Sequence, residues 1–385
     1  MRINFIFKKK NYQRFQKYTY DSLLSLSSKK INNFFFNEEL NFDSVSELNN
    51  CDIIWARHDV NKKILDQVQV PILVQHERLF LPNYTKPFTY HFYYDLRHLF
   101  GRPNVYFLTD KNYEIKEKNI FSFTYIHHFD EKELDTSSTR DIDVLFLSGE
   151  KKINYDPLIQ KFSKLNLNNF NNLVQNSKIF YQSNKSFIEK LCGKLLYKTK
   201  DSFSYFYNES FLTKKYLRKQ KILKNLVELK DKYNIYYYGN KENDNYGLDC
   251  HDYIEYEKLI EICKRSKIII CQSPFQNSIL NERFHFALKY LSIPLLERYP
   301  QYTNLGVPEN LFFDYSDNNL RQKIENILMN YDKTYSEFKQ FKESIAYNKY
   351  SIREFLIKVI ELNKKKFFKH YLINKTPYFF LFFCA

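Results

Sequence analysis

Short apolar runs separated by polar turns repeat along most of this chain, and their spacing predicts its architecture. Ile3–Phe7, Cys51–Trp55, Pro71–Val74 and Val105–Leu108 are runs of strand length. They lie about 20–45 residues apart, which suits strand–helix units rather than hairpins. A second series begins with Asp141-Ile-Asp-Val-Leu-Phe-Leu-Ser-Gly149 and continues with Ile235-Tyr-Tyr-Tyr-Gly239, Lys267–Cys271 and Ile293–Glu297. Helical patterning falls between these at about 212–232, about 254–266 and from Asn281 to Leu288. Past Leu320 the pattern is helical throughout: Leu320, Ile324, Ile327 and Leu328, then Phe338, Phe341 and Ile345, then Ile352, Phe355, Leu356 and Val359. The expected class is α/β, with two Rossmann-like domains at 1–135 and 140–330 facing across a cleft, followed by C-terminal helices and a tail at 331–385. The charged run at 130–139 marks the boundary, and 150–211, rich in Asn, Ser and Lys, reads as an insertion.

The stretch from Lys267 to Asp317 carries most of the candidate chemistry. A strand runs into the polar loop Gln272–Ser278, which contains Asn277, and then into a helix opening with Asn281, Glu282 and Arg283. The next strand ends at Glu297. Phosphorylated ligands bind at helix N-termini and beyond the carboxyl ends of parallel strands, so this layout suits a nucleotide-diphosphate-sugar site. The ordinary alternative for Glu282 and Arg283 is a solvated helix start. With only six glycines in the chain, Gly149 and Gly239 stand out, each following an apolar run where a backbone could approach a phosphate closely. A plain turn glycine remains the alternative for each.

Tyr238-Gly239, Ser266-Lys267-Ile268, Asn281-Glu282-Arg283-Phe284 and Phe313-Asp314-Tyr315-Ser316-Asp317 together give Tyr233–Leu328 a resemblance. It resembles the C-terminal domain of two-Rossmann (GT-B) glycosyltransferases, especially the spore-maturation-protein-like group. The resemblance spans about a quarter of the chain and implies a metal-independent transferase with a nucleotide-sugar as co-substrate and no other cofactor. Many relatives place a ribose-binding Glu just after the Arg, where this chain has His285 and Phe286, and a Gly before the last strand, where it has Leu291-Ser292. Glu297 is the carboxylate placed to substitute. Phe275–Ser278 and Asn281–Arg283 also resemble motifs of α-1,3-fucosyltransferases, which share the fold. The resemblance therefore implies donor-binding roles for Gly149, Gly239, Asn277, Asn281, Glu282, Arg283, His285 and Glu297. A degenerate, non-catalytic sugar-binding or scaffold protein is the alternative.

In the first half, candidate chemistry is sought where strands end. Arg57-His58-Asp59 and His76-Glu77-Arg78 are two such ends. A general base must remove the acceptor hydroxyl proton, a task suited to imidazole or carboxylate, and His76 or Glu77 is the preferred base. Asp95 and the pair His127-His128 are weaker candidates. Asp141 and Asp143 imitate a metal-binding Asp-x-Asp, but they begin a strand instead of following one, so they read as a solvated strand entry and no metal site is expected.

Net charge is +15, with +6 in residues 1–20 and +5 in 364–385, leaving +4 for everything between. Basic ends interleaved with aromatics, as in Tyr378–Phe383, suit peripheral contact with an anionic membrane; packing of the tail on the first domain is the alternative. Nucleic acid is not expected as a partner, because a binding domain would spread its charge over one face. The acceptor is expected to be a glycan, a lipid-linked sugar or a protein. No segment approaches the ~20 apolar residues of a membrane span. The chain is therefore expected in the cytoplasm, at the inner face of a membrane if its basic ends contact one, and its six scattered cysteines, with no Cys-x-x-Cys pair, are expected as reduced thiols.

Overall fold

The computed structural model describes residues 2–7, 32–35, 48–57, 66–75, 90–91, 94–95, 102–109, 120–122, 139–148, 186, 216–239, 247–248, 250–252, 254–272, 280–345 and 355–364. The strands of the first half are β1 (Ile3–Phe7), β2 (Asn32–Phe35), β3 (Ile53–Arg57), β4 (Ile72–Gln75), β5 (Tyr90–His91), β6 (Tyr94–Asp95), β7 (Val105–Thr109) and β8 (Ile120–Ser122). Six of them form one sheet in the order β2-β1-β3-β4-β7-β8, with every pairing parallel. Its centre is apolar on both faces: Ile53, Ile54, Trp55 and Ala56 of β3 and Ile72, Leu73 and Val74 of β4 are all buried. Continuous burial of this kind is the signature of a parallel sheet covered on both sides. β5 and β6 pair antiparallel as a separate hairpin, and Asp95 falls there, outside the six-stranded sheet.

The second sheet comprises β9 (Ile142–Ser148), β10 (Ile235–Gly239), β11 (Cys250–His251), β12 (Ser266–Cys271), β13 (Ile293–Glu297) and β14 (Phe312–Phe313). The order β11-β10-β9-β12-β13-β14, again parallel throughout, is the 3-2-1-4-5-6 order of a Rossmann sheet. Its helices are α1 (216–227), α2 (Tyr256–Arg265), α3 (Glu282–Tyr290), α4 (Pro300–Asn304), α5 (Asn319–Met329) and α6 (Tyr331–Ser344), with α7 at 355–364. The chain is thus α/β, with two Rossmann-like parallel sheets, as expected. The apolar periodicity past residue 320 becomes helix: Leu320, Ile324 and Ile327 line the buried stripe of α5, and Phe338 and Phe341 that of α6.

Strands β2, β8, β11 and β14, the four edge strands of the two sheets and each two to four residues long, are absent from the sequence expectation, as are β5 and β6. Short edge strands carry little apolar pattern of their own and are fixed by pairing to an inner strand. Helix α7 buries Phe355, Leu356 and Val359, and Asn363 on it accepts a 3.1 Å hydrogen bond from the hydroxyl of Tyr106 on β7. The basic aromatic tail beyond Lys364, like the stretch 8–31, lies outside the described residues. Among the described residues no helix is long and apolar enough to cross a membrane.

Candidate functional site

In the second sheet the strand order reverses between β9 and β12, because the chain moves from β9 to one side and later returns to build the other. The crevice past the carboxyl ends of those two strands is where open α/β sheets bind ligands. β12 ends at Cys271 and is followed by the buried Gln272, whose backbone carbonyl is the local anchor. It accepts from Asn281 Nδ2 at 2.8 Å and from Arg283 Nη1 at 3.1 Å. Asn281 also caps α3, its side-chain oxygen accepting from the Arg283 amide at 2.8 Å, while its own amide donates to the Tyr302 hydroxyl at 3.1 Å. One asparagine therefore fixes the start of α3 to the end of β12 and presents Arg283 at the crevice.

Arg283 is partly buried, and among the described residues its guanidinium makes one hydrogen bond, to the Gln272 carbonyl rather than to a carboxylate. Glu282 is likewise partly exposed in the first turn of α3, where a positive helix end favours it. His285 points inward with Phe284 and Phe286 and is buried. Cys271, at the end of β12, has its thiol pushed up to about 12 by burial, which leaves it a packing group instead of a nucleophile.

Glu297, at the carboxyl end of β13, is 2% exposed and lies 2.7 Å from Arg218 of α1 in a fully buried ion pair. The Tyr299 hydroxyl donates to Glu297 at 3.0 Å and accepts from Arg218 at 2.9 Å, and the guanidinium also lies over the Tyr315 ring at 5.4 Å. Burial opposes the charge on Arg218, but Glu297, Tyr299 and Tyr315 outweigh it and raise its pKa. Arg218 had no signal in the sequence reading, since a basic residue in a Lys-rich helix looks solvated.

Gly239 closes β10 beside the end of β9. A Cβ there would come within 2.6 Å of the Ser148 carbonyl and 2.5 Å of the Tyr237 hydroxyl, so the glycine permits close strand packing at the edge of the crevice. Gly149, Asn277, His58, Asp59, His76, Glu77, His127 and His128 lie outside the described residues. β4 ends at Gln75, immediately before His76 and Glu77 in the chain. The structure thus brings together Asn281, Glu282 and Arg283 at the end of β12, with Glu297 on the adjacent strand.

The two aspartates that imitate a metal motif lie at the opposite edge. Asp141 is bound by Arg265 through two hydrogen bonds, one of them at 2.8 Å, and Asp143 by Lys267 at 2.7 Å. The Arg265 hydrogen bond holds the Asp141 carboxyl below its usual range. A depression of about 700 Å³ at this edge is lined by Asp141, Glu257, Glu261, Lys264 and Arg265, charges of both signs among which Arg265 pairs with Asp141 and Glu261.

No protein-family model matches the chain, and no curated protein matches it. Several solved structures resemble it. One is an alpha-glucosyltransferase in complex with UDP and a 13-mer DNA, 11% identical over 93% of this chain and 99% of that one, with a TM-score of 0.48. Another is the T4 phage beta-glucosyltransferase with UDP and Mn2+, 11% identical over 95% and 98%, TM-score 0.46. A third is the S. aureus MnaA–UDP complex, 11% identical over 91% and 92%, TM-score 0.37. At these values none of them transfers a residue role to this chain.

Proposed function

We propose that this chain is a glycosyltransferase that draws its sugar from a nucleotide-diphosphate sugar held at the carboxyl edge of the second sheet. The observation that carries the reading is the convergence, at the β9/β12 reversal, of the capped start of α3 and an arginine that no carboxylate neutralises among the described residues. A diphosphate supplies the missing negative charge, and a guanidinium binds it in a two-pronged way. The same arginine favours the departing nucleoside diphosphate, which gains charge as the glycosidic bond breaks. In this reading Arg283 is the main donor ligand, Glu282 and the Asn277 loop complete the pocket, and Asn281 holds the geometry. The cation at the phosphates is supplied by the protein, in keeping with metal-independent transfer. His76 or Glu77, next in the chain after β4, is the base that takes the proton from the acceptor hydroxyl.

The motifs from Tyr238 to Asp317 favour the spore-maturation-protein-like group for the donor half, and the Phe275–Ser278 and Asn281–Arg283 pieces suit a fucosyltransferase-like variant. The second reading, a sugar-binding protein without turnover, is favoured by His285, which occupies the place of a ribose-binding Glu and is buried. Thermal stabilisation against UDP-, GDP-, ADP- and CMP-linked sugars tests the donor site, since a ligand at ~100 times its dissociation constant adds roughly 2.7 kcal/mol. A shift with one nucleotide that vanishes in Arg283→Ala supports the site, and no shift with any member overturns it. Transfer to a panel of a glycan, a lipid-linked sugar, a peptide and duplex DNA then separates enzyme from binding protein and identifies the acceptor.

A further inference from the structure

The Arg218–Glu297 pair is the most deeply buried charge pair among the described residues, with both side chains under 5% exposed. Ion pairs of this kind contribute little to stability compared with apolar residues of equal volume, so their retention asks for a reason other than stability. Its position supplies one. β12 and β13 are paired with Cys271 opposite Leu296, which places Glu297 level with Gln272, the residue whose carbonyl anchors both Asn281 and Arg283. Arg218 comes from α1, which follows β9 in the chain, whereas Glu297 ends β13 on the other side of the reversal. The pair therefore ties the two halves of the sheet together directly beneath the crevice.

The tie continues to the helix start. Tyr299 bonds both charges, and α4 follows it at once. Tyr302 of α4 takes the Asn281 amide on its hydroxyl and packs edge-on against Phe284 of α3, ring centroids 5.1 Å apart. Tyr299, Tyr302 and Glu297 are all buried, and burial first, then Cys271, Tyr299 and Glu297, push the Tyr302 phenol up against the opposing pull of the Asn281 amide. A chain of contacts thus runs from Glu297 through a single turn of helix to the cap at the start of α3.

We infer that Arg218, Glu297 and Tyr299 are positioning residues that set the aim of Arg283 at a diphosphate. The inference rests on the proposed donor site. It assigns Glu297 a role through its neighbours and gives Arg218 a function. Because the pair is enclosed, its effect reaches a ligand only through the α3 start.

The test uses the full chain and inorganic pyrophosphate, the part common to all nucleotide-diphosphate sugars, titrated by calorimetry. The double variant Arg218→Met with Glu297→Leu removes the charges while keeping bulk, and its melting temperature is expected within a few degrees of wild type. Its pyrophosphate affinity is expected to fall by about 10-fold or more, as it commonly does when supporting partners of a ligand-binding group are lost. Tyr299→Phe, which deletes one hydroxyl, is expected to lower affinity by less, in the same direction, and it decides the matter if the double variant does not fold. Arg218→Lys, which keeps the pair, is expected to retain more affinity than the double variant. Unchanged affinity in a folded double variant or, where that variant does not fold, in Tyr299→Phe, with binding still lost in Arg283→Ala, overturns the positioning role alone. Pyrophosphate binding that survives Arg283→Ala overturns the donor site and this inference with it.

Discussion

The two edges of the second sheet carry similar residues to different ends. At the amino edge Asp141 meets Arg265 and Asp143 meets Lys267, while Arg140 donates to the Ser266 carbonyl at 2.5 Å, to the Tyr290 carbonyl at 2.6 Å and to Ser292 Oγ at 3.2 Å. Each charge there is answered by an opposite charge or a carbonyl, and the result is a clamp on the starts of β9, β12 and β13. At the carboxyl edge Arg283 reaches only a carbonyl among the described residues, and the carboxylate nearby, Glu297, is already neutralised by Arg218. In the proposed reading, a ligand with two phosphates is attracted at the carboxyl edge and meets balanced charge at the other. Parallel strands make this asymmetry possible, since helix N-termini follow their carboxyl ends.

The comparison breaks most sharply at Arg283. Arg283→Ala is expected to fold normally and lose at least ~100-fold in turnover, about 2.7 kcal/mol of transition-state stabilisation, with Arg283→Lys intermediate because it keeps the charge and loses the fork. Steady-state kinetics beside a melting curve checks this, and near wild-type donor affinity and transfer in the Ala variant would return Arg283 to a solvated helix start. A neutral change at the other edge, Asp141→Asn, sharpens the contrast by leaving turnover unchanged.

Gly239→Ala should be the next largest effect. The added methyl meets the Ser148 carbonyl, a backbone atom that cannot rotate away, so a loss of about 1–3 kcal/mol in denaturant unfolding is expected, as for other overpacked sites.

Leu291 offers a subtler test. It ends α3 in the left-handed conformation, with φ 55° and ψ 28°, a region that favours glycine. Its side chain is buried, so Leu291→Gly relieves strain of about 1 kcal/mol but removes apolar packing of about 2–5 kcal/mol. Net destabilisation is expected from chemical unfolding, and a more stable variant would show that the strain dominates.

The smallest effect belongs to Asp141→Asn. The Asp141 carboxyl titrates below its ordinary value because Arg265 binds its charged form. Such a group stabilises the fold above its unfolded pKa and loses that contribution as pH falls through the lower, folded one. The pair is half exposed, so Asn should cost under about 1 kcal/mol at neutral pH, and the difference from wild type should shrink as pH drops below about 4.

Inner strands were legible in the sequence because they are continuous apolar or aromatic runs, buried almost throughout in β9, β12 and β13 and partly in β10. β9, β10, β12 and β13 fall within two residues of their expected bounds, and α3 starts beside the expected Asn281. β3 ends two residues later than expected, at Arg57, because its pairing to β4 carries it past Trp55 into polar residues. Edge strands such as β14 stayed hidden, since two phenylalanines in a Phe-rich chain carry no period.

In the proposed site, the placement of Glu282 and Arg283 in the first turn of a helix after β12 was readable from local order alone. The cap made by Asn281 was partly readable too, because Asn before a helix satisfies an orphan amide. The partner of Glu297 was not. Arg218 lies 79 positions earlier, in a helix where four of twelve residues are basic, and only the 3-2-1-4-5-6 winding of the sheet brings it to the end of β13. Local periodicity and end chemistry determined the elements and the exposed donors of the crevice. Which charges are neutralised, and which remain for a ligand, was decided by contacts across the sheet, because burial and pairing depend on distance in space and leave no mark on distance along the chain.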